Sequence, residues 1–158
     1  MGAFGGLKGA KTSEAGQYLG EGDFKLRVLR CLVTGRSGPV FIAECEVVEN
    51  ATGKKNEKGE IIDPVGSKRS WAQKLTDKDI GFGALKGFLY ACSGLSPSDP
   101  SQAAQIKEFD EEIETVADAT VGPDQAMAGL FVRDSVFLKE SKGKPGQFYH
   151  RHQFSPAE

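Results

Sequence analysis

The chain has 158 residues, a formal net charge of -2, 39% hydrophobic and 27% charged residues, and 20 glycines. That length suits one compact domain and excludes two full domains joined by a linker. No stretch approaches the ~20 apolar residues of a membrane helix, and the N-terminus lacks the hydrophobic block of a secretory signal, so a cytoplasmic protein without a membrane partner is expected.

Residues 1–19 hold Gly2, Gly5, Gly6, Gly9 and Gly16, with Phe4, Leu7 and Tyr18 as sizeable apolar groups. Such a composition cannot repay the entropy of ordering by itself, and a flexible Gly-rich arm is expected. From residue 20 to 158 a single domain is expected. Phe24, Leu26 and Val28 alternate with Lys25 and Arg27, then the apolar phase slips to Leu29, Cys31 and Val33, which predicts a long first strand with a bulge or sharp coil. After the turn Gly35-Arg36-Ser37-Gly38, Phe41, Ala43, Cys45 and Val47 alternate with Ile42, Glu44, Glu46 and Val48 in a second, hairpinned strand.

Residues 50–67 read as a long loop or small hairpin, and a third strand is predicted over 67–75. Asp77 or Asp79 can cap a helix in which Phe82, Leu85, Phe88, Leu89 and Cys92 recur at helical spacing, with Gly94 as its stop. The glycines at 81, 83 and 87 have the wrong spacing for a phosphate loop. Residues 96–125 are expected to form an acidic helical insert, in which SPSDPSQ at 96–102 is a breaker and one helix from Ala103 to about Ala119 places Ile106, Phe109, Ile113 and Val116 on one face. A hairpin of strands at 130–139 and 147–154, its tip carrying Lys142 and Lys144, ends the pattern.

The three cysteines Cys31, Cys45 and Cys92 lie far apart in apolar runs, as small buried hydrophobes of a reduced compartment do. His150 and His152 share a strand face without a completing ligand cluster, and neither a nucleophile elbow nor a phosphate loop is present, so no metal, cofactor or catalytic activity is expected.

Five strands with a helix between the third and fourth is the order of an OB-fold-like barrel, a fold that binds oligonucleotides or oligosaccharides. Residues 99–124 hold eight acids against one base, which leaves 14 acids and 19 bases elsewhere, so a slightly acidic chain conceals a barrel and arm of about +5. The segments QYLGEGDFKLRV (17–28), FIAECEVVE (41–49), VGSKRSWAQKLTD (65–77), ALKGFLYACSGL (84–95) and GQFYHRHQFSPAE (146–158) resemble the small OB-fold-like single-stranded DNA-binding proteins of tailed bacteriophages and prophages. The resemblance implies a DNA-binding protein of phage replication or recombination, working in the cytoplasm of a bacterial host. It makes the acidic helix a candidate docking element for replication or recombination proteins, and self-association a further candidate.

For this binding role the candidate residues are Lys25, Arg27, Arg36, Lys68, Arg69, Trp71, Lys74, Tyr149 and Arg151. Within the third strand Arg69, Trp71 and Gln73 share one side while Lys68, Ser70, Ala72 and Lys74 share the other. An outward Trp71 is a stacking platform with Arg69 beside it; an inward Trp71 is core, and Lys68 and Lys74 then line the groove. The rival is a virion structural or protein-docking module, for which a barrel with an arm serves equally well.

Overall fold

The computed structural model describes residues 18–157 apart from Arg36, so Arg36 and arm residues 1–17 lie outside the described residues. Among these the chain is mainly β, with five antiparallel strands in one sheet that is not closed, and three helices. The strands are β1 (Gly22–Thr34), β2 (Val40–Asn50), β3 (Lys68–Lys74), β4 (Phe131–Glu140) and β5 (Phe148–Pro156), in the spatial order β3-β2-β1-β4-β5. The helices α1 (Lys78–Cys92), α2 (Ala103–Glu111) and α3 (Ile113–Val121) all fall between β3 and β4.

The phase slip in β1 is a real bulge. Its pairing with β2 shifts register between Val28 and Arg30, and a second shift lies between Lys25 and Leu26. An extra residue on one strand returns Cys31 to the side already used by Phe24, Leu26 and Val28, all four of which are buried. β4 covers only the first half of β1, from Gly22 to Arg27. Beyond it, Val28 exchanges backbone hydrogen bonds with Gly129 and Leu130, at 2.7 and 2.9 Å. Farther along, the side-chain amide of Gln125 accepts from Cys31 N at 2.7 Å and donates to Cys31 O at 2.8 Å.

One face of the sheet is packed by α1. Asp77 caps that helix, its carboxylate accepting from the Asp79 and Ile80 amides, and Gly94 ends it with a left-handed φ of 75°. Gly81 allows the helix to start against β3, since a Cβ there would stand 2.3 Å from the Lys74 carbonyl oxygen. Phe88 and Leu89 are buried as the spacing implies, whereas Phe82 is exposed because it lies in the first turns, ahead of the packed segment. The two edge strands approach through their side chains: Trp71 of β3 meets Phe154 of β5 at 4.7 Å between ring centroids, and both rings pack on Phe88.

The acidic insert is two helices, which corrects the expectation of one. The break falls at Glu112, where the backbone leaves helical geometry at φ -107° and ψ 7°. In an unbroken helix Glu108 and Glu112, and Asp110 and Glu114, would stand as like-charged neighbours four residues apart, a spacing that destabilises a helix. Phe109, Ile113 and Val116 still reach the core, so the break keeps the apolar contacts. Tyr90 of α1 donates to Asp110, and the Lys86 ammonium lies 3.4 Å from the same carboxylate, tying α1 to α2.

The described end of the predicted arm belongs to the sheet. Tyr18 forms a parallel bridge to Ser70 on the free edge of β3, and Leu19 is buried in the core. Loop 51–67 is a small hairpin, with Lys55 bridged to Ile61, and is held down through Asp63. The buried Asp63 carboxylate accepts from Gly20 N at 2.7 Å and from Arg69 Nε at 2.6 Å.

Candidate nucleic-acid interface

Strand order decides which predicted residues meet. Lys68, Arg69, Trp71 and Lys74 are on one edge strand and Tyr149 and Arg151 on the other, with three strands between them. Trp71 is a core residue, 5% exposed, and this corrects its use as a stacking platform. Its indole is packed among Phe41, Phe88, His152 and Phe154 at centroid distances of 5.8, 5.4, 6.4 and 4.7 Å. Arg69 points to the same side as Trp71 and is engaged by Asp63, which spends its charge inside the protein. Lys68 and Lys74 are exposed on the outer side, and Lys74 rims a shallow hollow with Gly35, Ser37, Pro39 and Thr76.

Between the two edges, β2 carries Glu44, Glu46 and Glu49 on its outer side. Arg27 pairs with Glu46, and Glu46 also stands opposite Lys68 in the β2–β3 ladder. Arg133 lies 3.6 Å from Glu49. Carboxylates therefore interrupt any cationic track running from β3 across β2.

The outer face of β4, with β5 beside it, is different. Phe131, Arg133, Ser135, Phe137 and Lys139 alternate with the inward Val132, Asp134 and Val136 along β4. In the β4–β5 ladder Phe137 is opposite Arg151 and Lys139 is opposite Tyr149, so each aromatic ring faces a cation across the strands. Directly opposed Cβ atoms lie about 5 Å apart in such a ladder, close enough for a ring and a cation to form one surface. At the other end of the stripe the Lys25 ammonium sits over the Phe131 ring, 5.2 Å from its centroid. Phe131, Phe137, Tyr149 and Arg151 are exposed, and Lys139 and Arg151 have no ion pair among the described residues. The hairpin from 137 to 151 carries Lys139, Lys142, Lys144 and Arg151 against a single acid, Glu140.

The structure thus gathers Lys25, Arg27, Tyr149 and Arg151 on the outer face of β1, β4 and β5, and leaves the β3 residues apart. Phe131, Arg133, Phe137 and Lys139 were missed from sequence although their period-two alternation is visible there. What sequence withheld was the register that sets Phe137 against Arg151.

Beneath this stripe, on the inward side of the same strands, Asp134 is fully buried and its Oδ2 lies 2.6 Å from His152 Nδ1. Its Oδ1 has no hydrogen-bond partner among the described residues. Burial pushes the Asp134 carboxyl above the ordinary carboxylate range, outweighing the opposite pull of the His152 ring and the Gln153 backbone N–H. The cysteines are free and buried, as their apolar settings imply. Burial raises the Cys31 thiol to about 12 and also lifts Cys45 and Cys92, so none is poised as a thiolate.

Among the described residues no three His, Cys, Asp or Glu side chains gather as a metal-binding cluster, and no helix is long and apolar enough to cross a membrane. Compared with known proteins, the sequence matches no protein-family model and no curated protein.

Proposed function

We propose that the protein binds single-stranded DNA without marked sequence preference, along the outer face of β4 and β5 with Lys25 of β1. The observation that carries this reading is the placing of exposed rings beside cations: Lys25 lies over Phe131, and Arg151 and Lys139 stand opposite Phe137 and Tyr149 in the β4–β5 ladder. Rings offer stacking to any base, and cations follow the phosphates, which is how strands are held without reading sequence. In this reading the five strands are an OB-fold-like barrel left open between β3 and β5, with α1 filling the gap. The strand order and the Trp71–Phe154 contact support it. Phage replication or recombination in a bacterial cytoplasm remains the setting that the sequence resemblance implies.

Anisotropy titration of labelled oligo-dT at several salt concentrations tests the proposal. Log affinity should fall with log salt at about -0.7 per phosphate contacted. Replacing Lys25, Lys139 and Arg151 together by alanine should flatten the slope by roughly two units. Folded protein that shows no salt-sensitive binding at micromolar concentration refutes the reading.

One observation favours a protein-docking or virion structural role instead. Leu138 and Phe148, on the inward side of the hairpin, overhang the core and are 47% and 61% exposed. A nucleic-acid strand on the outer face leaves them uncovered, whereas a protein partner would bury them.

A further inference from the structure

We propose that the buried Asp134–His152 pair is a positioning device for the strand-binding stripe, holding β5 on β4 so that Arg151 and Tyr149 stand opposite Phe137 and Lys139. This rests on the single-stranded DNA reading and names residues of that site which touch no ligand.

The argument begins from cost. A carboxylate with no solvent exposure and one unpartnered oxygen is an expensive core residue, and an apolar side chain of the same size would suit the position better. Its neighbours are apolar or neutral. In the ladder its partner is Phe154, the rings around His152 are Trp71 and Phe154, and the nearest titratable group on β2 is the Cys45 thiol. No cation other than the His152 ring is paired with it among the described residues. Packing therefore gives no reason for a carboxylate at this point.

Geometry gives one. Asp134 holds the His152 ring through its Oδ2, so a carboxylate of β4 grips the edge strand β5 by a side chain as well as by the backbone ladder. The next residue toward the tip is Arg151, whose side chain emerges on the outer face against Phe137. β5 is an edge strand, hydrogen-bonded on one side only, and its ladder with β4 continues past the core to Phe148. A side-chain tie just inside that overhang fixes the hairpin's twist and direction where backbone pairing alone leaves a two-stranded ribbon free to bend. Local rules of packing are broken most often where a site requires it.

The test separates positioning from stability. The double variant Asp134→Val/His152→Phe replaces both polar partners by apolar groups, and Asp134→Asn keeps an acceptor for the His152 ring N–H. The double variant is expected to be at least as resistant to urea as the parent, yet to bind oligo-dT about tenfold more weakly, the scale of one displaced stacking contact. Asp134→Asn is expected to bind within about twofold of the parent, because the tie survives without the charge. Parent-like affinity in a folded double variant overturns the inference and leaves the DNA-binding reading intact. Absence of binding by the parent removes both.

Discussion

Asp63 and Arg69 join the small hairpin of loop 51–67 to the edge strand β3, carboxylate to guanidinium at 2.6 Å, and the same carboxylate takes the Gly20 amide. One side chain thus secures three segments that backbone pairing barely connects. Asp63 itself has a left-handed φ of 55°, a conformation that aspartate and asparagine tolerate better than alanine.

Asp63→Ala should lower unfolding free energy by about 2–4 kcal/mol, from the lost hydrogen bonds to Gly20 and Arg69 and from backbone strain. Asp63→Asn, which keeps the turn and part of the bonding, should cost about half as much. Urea midpoints at constant m-value measure both, and equal losses would show that the charge alone matters.

Replacing Phe137 or Tyr149 by alanine should weaken oligo-dT binding by about 1–3 kcal/mol each while leaving stability nearly unchanged, because both rings are exposed. Trp71→Phe should do the reverse, lowering stability by about 1–3 kcal/mol with binding retained. A parallel loss of affinity in Trp71→Phe would mean that the core face contacts DNA.

The contribution of Asp134 to the stability of the parent should fall as pH rises from 3.8 through its elevated native range. A carboxyl raised by burial keeps its proton in the folded state longer than in the unfolded one, so its contribution is full below 3.8 and lost above the native value. Asp134→Asn should remove that part of the pH dependence and be relatively most stabilised at neutral pH. Thermal melts of both proteins from pH 4 to 8 check the sign.

Changing Glu111, Glu112 and Glu114 together to glutamine should leave stability level or slightly raised, since all three are exposed and like charges are relieved. Affinity for oligo-dT should stay level or strengthen as negative charge is removed. Asp110 is left out because it binds Tyr90 and Lys86. A clear drop in affinity would place α2 and α3 against the DNA.

Much of the framework was legible because it rests on local periodicity. The slip after Val28, the Asp77 cap and the Gly94 stop each leave a mark within a few residues. Trp71 was ambiguous for a physical reason: in KRSWAQK both faces carry polar groups, and the packing of α1 together with β5, which comes from the far end of the chain, decides which face is covered. The break at Glu112 was hidden because the apolar spacing is compatible with one helix and only the charge spacing is not. The basic residues of the candidate site were visible, but the distance between β3 and β5 follows from strand order, and the ring–cation pairs follow from register.

Where β4 turns away from β1, the far half of the central strand would show bare peptide groups to solvent. Gln125 meets this by presenting its own amide to Cys31, both donor and acceptor, in the manner of a neighbouring strand's peptide. Its φ of 46° is that of a tight corner. A single side-chain amide, carried on the segment that follows the acidic helices, thereby shields part of a sheet edge from pairing with another polypeptide. Glutamate there would keep the acceptor but lose the donor, leaving the Cys31 carbonyl without its side-chain partner.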